Sequence, residues 1–110
     1  MSGLNTTWKM GKRIIHLKDV IRYLNKKRRR VHYVPAQPLY QALKRRLETS
    51  RKRMMRANTE IPIIVVVDRQ TRRPTVVLDG NHRLAKAVSL GLDIGIRIMY
   101  DDEYNSFFGV

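Results

Sequence analysis

Apolar residues along the chain fall into short runs that have the spacing of either β-strands or helices. Residues 61–67 form a continuous, largely β-branched run, which is typical of a strand covered on both faces. Residues 75–78 form a second short run, which we expect to pair with the first as a hairpin. Residues 13–17 and the alternating stretch 92–99 predict two further strands.

Helical spacing marks three other segments. Residues 18–25 carry apolar side chains on one face of a short helix. Residues 38–57 give the longest helical signal, and Pro38 suits its first position. A third helix follows residue 80, with apolar residues at i, i+3, i+4 and i+7, and Gly91 is suited to end it.

These elements predict an α+β fold with a small mixed β-sheet flanked by helices. We expect residues 1–12 to be a flexible N-terminal arm, residues 13–100 to form the domain, and residues 101–110 to be a short tail. Residues 31–37, which include a proline, are expected to form a connection without regular structure.

Composition excludes several classes of protein. Cysteine is absent, which excludes disulfides, thiol catalysis and cysteine-ligated zinc. No apolar run reaches the roughly 18 residues that a transmembrane helix needs, and residues 1–11 lack the apolar core of a signal peptide. We therefore expect one cytoplasmic domain with no membrane partner.

The net charge of the chain is the strongest indication of its partner. The chain has 23 lysines and arginines against nine acidic residues, a formal net charge of +14, with a pI near 11.0. Such an excess predicts a polyanionic partner, most commonly nucleic acid, and we expect DNA. An anionic membrane surface is the alternative, but the basic runs lack the apolar aromatic face that membrane binding uses.

Two groups of cations are expected to contact phosphates. The block at residues 26–30 should stay in solvent, because its charges repel one another. The second group lies on the predicted long helix, where a merely solvated face is the alternative interpretation. For Tyr33, in the adjoining connection, packing is preferred to stacking on a base. The predicted contacts are Lys26, Lys27, Arg28, Arg29, Arg30, Lys44, Arg45, Arg46, Arg51, Lys52, Arg53 and Arg56.

Residues 79–83, with the sequence Asp-Gly-Asn-His-Arg, are the sharpest candidate for chemistry. They precede a predicted helix, whose free N–H groups and positive dipole end favour an anion. We expect Gly80, Asn81, His82 and Arg83 to bind phosphate or nucleotide, with Arg83 preferring phosphate to a salt bridge with Asp79. His82 is the candidate acid or base, and Asp79 would orient it or ligate a metal.

Each of these residues also has a structural alternative. Asp79 is equally suited to be a turn or cap residue, and His82 to bond the backbone in the first helical turn. Asp79 alone provides too few ligands for a Mg²⁺ or Mn²⁺ site, which needs several oxygen ligands. Asp68 and the acidic residues 101–103 would complete such a site only if the fold brings them close.

The order of elements, with Val-Leu-Asp-Gly-Asn-His-Arg-Leu-Ala-Lys-Ala at residues 77–87 and Leu-Gly at 90–91, resembles the ParB/sulfiredoxin superfamily. It is most similar to the ParB-like nuclease, or ParB N-terminal, type of domain. The resemblance implies binding of nucleotide or nucleic-acid phosphates at the glycine turn. It also implies CTP or ATP as a cofactor, since members hydrolyse CTP, use ATP, phosphorylate free serine or cleave DNA. Mg²⁺ or Mn²⁺ is expected because hydrolysis and phosphoryl transfer often need a metal.

Departures from the family pattern narrow what the resemblance implies. Asn81 stands where sulfiredoxins have a cysteine, so sulfinic-acid reduction is excluded. The 110 residues show no helix-turn-helix domain and no clear second phosphate-binding motif upstream, where the basic segment lies instead. Small size and high charge resemble a stand-alone phage or mobile-element protein, which implies the cytoplasm of a bacterial host.

Three functions therefore remain open at the level of sequence. The first is a ParB-like DNA nuclease with Asp79, His82 and Arg83 at its phosphate site. The second is a non-catalytic module that binds DNA or inhibits a machine acting on it. The third is a nucleotide-binding NTPase or phosphotransferase. The oligomeric state is also open, with a homodimer among the expected assemblies.

Overall fold

The computed structural model describes residues 6–43 and 50–109. It is an α+β fold, as predicted. Within these ranges, no helix is long and apolar enough to cross a membrane. The elements in chain order are β1 (Thr7–Met10), β2 (Arg13–His16), α1 (Leu17–Lys26), β3 (His32–Pro35), α2 (Ala36–Ala42), α3 (Arg51–Arg56), β4 (Ile63–Val67), β5 (Pro74–Asp79), α4 (Asn81–Leu90), β6 (Asp93–Tyr100) and α5 (Asp101–Phe108).

A four-stranded sheet forms the centre of the molecule, with the strand order β3-β6-β4-β5. β4 pairs parallel to β6, whereas β3 with β6 and β4 with β5 are antiparallel, so the prediction of a mixed sheet is confirmed. The predicted hairpin of β4 and β5 is also confirmed. Every residue of β4 is buried, as its unbroken apolar run indicated.

Alternate side chains of the sheet enter two separate cores. On one face, Ile63 and Val65 of β4 pack with residues of α2 and α4. On the other face, Ile64 of β4 and Met99 of β6 pack with α1, α5 and the β1–β2 hairpin. This division places the two functional candidates on opposite sides, since the predicted turn leads into α4 and the basic block follows α1.

The long helix predicted over residues 38–57 is wrong. α2 ends at Ala42, and Leu43 has an extended ψ of 140°. α3 begins after Ser50, whose hydroxyl caps it by accepting from the Arg53 N–H group. Pro38 is the third residue of α2 rather than the first. The apolar residues of this segment do not stabilise one continuous helix, because α3 buries no side chain and therefore has no core beneath it.

Three segments that were expected to be irregular have regular structure. Thr7–Met10 is a strand of a hairpin instead of part of a flexible arm. His32–Pro35 is β3, paired along its whole length with β6, instead of a connection. Asp101–Phe108 is helix α5, and buried Phe108 docks it, instead of a tail. In each case a partner distant in sequence supplies the stabilising contacts, which local pattern does not reveal.

Candidate functional site

The Gly80 turn (residues 79–83) joins β5 to α4, as predicted. Gly80 precedes the helix with φ of +108°, in the region that favours glycine. A Cβ atom there would lie 2.3 Å from Ile63 Cγ2 on the neighbouring strand and 3.0 Å from Arg83 Nη2. Glycine is therefore needed both for the backbone angle and to leave room for the Arg83 side chain. Gly91, with φ of +66°, ends α4 as predicted.

Asp79 and Arg83 form an ion pair across this turn. Arg83 Nη2 donates to Asp79 Oδ2 over 2.8 Å, and the side chains are only 14% and 17% exposed. The four-residue spacing along the chain brings the two groups together. The expectation that Arg83 prefers phosphate to this salt bridge stays a prediction. Each charge is therefore partly neutralised by the other.

His82 contacts the start of α3 instead of a carboxylate. Its Nε2 atom accepts a hydrogen bond of 3.3 Å from the Ser50 N–H group. Burial lowers the pKa of His82, and the nearby Arg53 guanidinium lowers it further. The imidazole is therefore neutral at neutral pH, and its acceptor nitrogen is occupied. Asp79 bonds Arg83 and, in the described chain, makes no hydrogen bond that would orient His82.

Asn81, the first residue of α4, has a side-chain oxygen that is buried without a hydrogen-bond partner in the described ranges. It is the polar atom of the Gly80 turn that the fold leaves unsatisfied. A carboxamide oxygen accepts hydrogen bonds and would repel a phosphate oxygen. In this orientation Asn81 therefore does not strengthen the predicted anion site.

The acidic residues considered as additional metal ligands lie at the far end of the sheet. Asp79 pairs with Ile64, whereas Val67, just before Asp68, pairs with Pro74 and Tyr100. Along β4, four residues of extended strand, or about 13 Å, separate Ile64 from Asp68. No group of three His, Cys, Asp or Glu side chains with metal-binding geometry occurs in residues 6–43 and 50–109. The Mg²⁺, Mn²⁺ and nucleotide expectations stay predictions.

The basic loop (residues 26–30) overlaps the end of α1 and leads towards β3. Lys26, Lys27, Arg28 and Arg30 are all exposed, and none forms an ion pair with a carboxylate of the described chain. Arg28 adopts a left-handed φ of +56°, which turns the chain sharply after the helix. Four unneutralised cations thus lie within five residues.

Arg29 is the exception in the basic loop, and the expectation that the whole block stays in solvent is wrong there. Its guanidinium binds both carboxylate oxygens of Glu103 over 2.8 and 2.6 Å, and it also donates to the Ile98 carbonyl. Burial alone raises the pKa of Glu103, but bonds from Arg29, Tyr23 and the Tyr100 N–H group outweigh this and lower the pKa to about 2. Arg29 therefore anchors the loop to α5.

α3 carries the described part of the second cationic group. Arg51, Lys52, Arg53 and Arg56 are exposed and form no ion pair within the described ranges. Lys44, Arg45 and Arg46 lie outside those ranges. Lys86 of α4, which sequence reasoning missed, fixes α3 by donating to the Met55 and Ala57 carbonyls over 2.9 Å each. Lys86 is half-buried, and no motif around it in the sequence indicated this role.

The structure therefore brings α3, but not the basic loop, to the Gly80 turn. α3 contacts α4 through His82 and Lys86 on one face of the sheet. The basic loop contacts the other face, where Arg97 of β6 donates to the Arg29 carbonyl and to Asn25. A single ligand at the Gly80 turn would not contact both cationic groups directly.

An apolar groove of about 540 Å³ lies over the sheet face that carries α2, and sequence reasoning missed it. Val65, Val67 and Ile98 line the groove, and Arg72 and Tyr100 are its polar residues. Arg72 Nη1 donates to the Tyr100 hydroxyl over 3.0 Å. The groove is therefore lined mainly by apolar side chains, with one bonded polar pair at its edge. Its walls come from five elements, which no local motif could reveal.

Comparisons with known proteins give no relative for this fold: no protein-family model matches the chain, and neither curated proteins nor solved structures contain a significant match. The resemblance to ParB-like domains therefore stays a prediction from the sequence.

Proposed function

We propose that this chain is a non-catalytic nucleic-acid-binding domain that holds phosphate groups through exposed cations of its basic loop and of α3. The observation that carries the proposal is the state of Lys26, Lys27, Arg28 and Arg30. They are exposed together in one short loop, and no described carboxylate neutralises them. Phosphate contacts of this kind provide affinity that does not depend on base sequence.

The anchoring of the basic loop supports this proposal. Arg29 is bound to Glu103, and Arg97 holds the Arg29 carbonyl, so the exposed neighbours project from a fixed backbone. A fixed backbone reduces the conformational entropy that is lost when the cations bind a phosphate chain. The loop cations are thus both unneutralised and presented in a defined arrangement.

The occupied groups at the Gly80 turn favour binding over catalysis. A nuclease or nucleotide hydrolase needs a positioned base and, in most cases, carboxylates for a metal. Here Asp79 is bonded to Arg83, and the acceptor nitrogen of His82 is bonded to Ser50. The nuclease hypothesis would require both contacts to open before a metal or water could be positioned.

The salt dependence of binding tests the proposal. A labelled DNA strand and an RNA strand of the same sequence are titrated with the protein over a range of salt concentrations. If four loop cations contact phosphates, log affinity falls against log salt with a slope of about −3 or steeper. The matched control is a peptide nucleic acid of the same sequence, which has no phosphates and should not bind. A flat salt dependence, or equal binding of the control, overturns the proposal.

A further inference from the structure

Tyr33 is the most exposed of the large hydrophobic side chains in the described chain, with 71% of its surface accessible. It lies on β3, an edge strand, directly opposite Gly95 of β6. The other exposed large hydrophobics are aliphatic: Ile14, Met55, Leu90 and Leu92. The sequence interpretation of Tyr33 as a packing residue is therefore wrong, and the exposed ring needs another explanation.

Gly95 creates the space that the Tyr33 ring occupies. Partners in an antiparallel pair point to the same face, and a Cβ atom on Gly95 would lie 3.1 Å from Tyr33 Cε1 and 3.5 Å from Cζ. The ring thus leans over the bare backbone of β6 and leaves most of its surface in solvent. The same Cβ position would lie 2.8 Å from Val31 Cγ1, so glycine also leaves room for Val31.

The ring has no aromatic or cationic partner in the described chain. Trp8, Tyr23 and Tyr104 contact phenylalanine rings of α5, and Tyr100 is covered by arginines. No such contact involves Tyr33. Its π-face is therefore available to a planar group from outside.

The basic loop lies beside this ring on the same face of the sheet. Arg97 is two residues beyond Gly95 on β6, so its side chain points to the same face. It donates to Asn25 Oδ1 over 2.6 Å and to the Arg29 carbonyl, which holds the loop against that face. Unpaired cations and a free aromatic ring are thereby adjacent.

We infer that Tyr33, with Lys26, Lys27, Arg28 and Arg30, forms a binding surface for single-stranded nucleic acid. A base stacks on the Tyr33 ring while the neighbouring phosphates contact the loop cations. In a duplex the bases are paired and stacked, so a ring on a sheet face is out of their reach. This Tyr33 surface rests on the proposed function and specifies its ligand class as single strands over duplexes.

The inference is tested with full-length protein and fluorescently labelled oligonucleotides of about 15 nucleotides. Three probes share one length: a single strand (as DNA and as RNA), the matching DNA duplex, and an abasic single strand that keeps its phosphates. The variants are Tyr33→Ala and Tyr33→Phe, with Ile14→Ala as the control for losing another exposed apolar side chain. Gly95→Ala is a second variant, because its methyl group would displace the ring.

Stacking predicts a selective loss of affinity. Tyr33→Ala should weaken single-strand binding about tenfold, the loss expected for one stacked base, while duplex and abasic affinities stay unchanged. Tyr33→Phe and Ile14→Ala should bind as the original chain does, and Gly95→Ala should lose part of the single-strand affinity. The strand, DNA or RNA, that loses more affinity in Tyr33→Ala is the one whose base stacks on the ring.

Two failures are distinguishable. If the original chain binds all probes with salt-dependent affinity and Tyr33→Ala weakens none selectively, the Tyr33 surface is overturned and the proposed function stands. If the original chain binds no probe, the proposed function falls, and the Tyr33 surface falls with it.

Discussion

The Gly80 turn and the basic loop both carry residue types that bind phosphate, yet their side chains are occupied differently. In the Gly80 turn, Arg83 is bonded to Asp79 and His82 to Ser50. In the basic loop, one arginine is bonded to Glu103 and its four cationic neighbours are exposed without an ion pair in the described chain. Of the two regions, the basic loop therefore keeps more of its positive charge without a carboxylate partner.

The largest effect on stability is expected from replacing Arg29, the arginine of the basic loop that binds Glu103, and the neighbouring Arg28 provides the comparison. Arg29→Ala removes one partner of a largely buried ion pair, leaving Glu103 uncompensated, and should lower the free energy of unfolding by about 4 kcal/mol. Arg28→Ala, one residue away but exposed, should change it by less than about 0.5 kcal/mol. Urea denaturation measures both. Equal losses would mean that the two arginines are not distinguished by the fold.

Neutralising the exposed loop cations comes next. Replacing Lys26, Lys27, Arg28 and Arg30 with glutamine should reduce the slope of log affinity against log salt by about 3, and single-strand affinity by about 100-fold at moderate salt. Replacing Arg51, Lys52, Arg53 and Arg56 of α3 removes the same charge from the other face of the sheet. The loss of single-strand affinity should be smaller, because the exposed aromatic ring of the described residues, Tyr33, lies on the face of the basic loop and not beside α3. Equal losses would indicate that net charge alone governs binding.

The contact between Arg29 and Glu103, which anchors the basic loop, should make stability depend on pH. The pKa of Glu103 is about 2 in the folded chain against 4.5 for an unperturbed carboxyl, so the folded state favours the ionised form. This contribution is complete above about pH 5 and is lost as the pH falls towards 2, at a cost of about 3 kcal/mol. Denaturation between these limits should show the loss, and Glu103→Gln should remove that part of the pH dependence. An unchanged profile in this variant would contradict the assignment.

The smallest effects are expected at the Gly80 turn. Plasmid DNA incubated with the protein and Mg²⁺ or Mn²⁺ should remain unnicked, and His82→Ala should change strand affinity by less than about twofold.

CTP and ATP should leave the melting temperature of the protein unchanged, because a nucleotide that binds the native state would raise it. Nicking by the original chain that His82→Ala abolishes would restore the nuclease hypothesis and reverse the comparison.

The local sequence pattern predicted those elements whose burial and boundaries depend on residues close by in the chain. The apolar run of β4, its hairpin with β5, and α4 between Gly80 and Gly91 follow from periodicity and turn chemistry. The same reasoning missed β3 and α5 because their partners lie far along the chain. β3 is stabilised by β6, some sixty residues later, and its own sequence has a proline and no regular alternation.

The candidate site was less predictable because identical residue types have different environments. Nothing in a block of five cations tells that Arg29 faces Glu103 while Arg28 faces solvent. Likewise, the exposure of Tyr33 depends on its pairing with Gly95, which only the register of β3 and β6 reveals. At the Gly80 turn the change from strand to turn to helix was predicted, but the pairing of Asp79 with Arg83 and of His82 with Ser50 depends on the packed structure.

The most direct test of the account is a map of which backbone amides respond when a single strand binds. In a titration of isotopically labelled protein followed by nuclear magnetic resonance, the account predicts the largest shifts in the basic loop, at Tyr33 and from Gly95 to Arg97. Shifts confined to Asn81, His82 and Arg83, with the basic loop and Tyr33 unchanged, would contradict it.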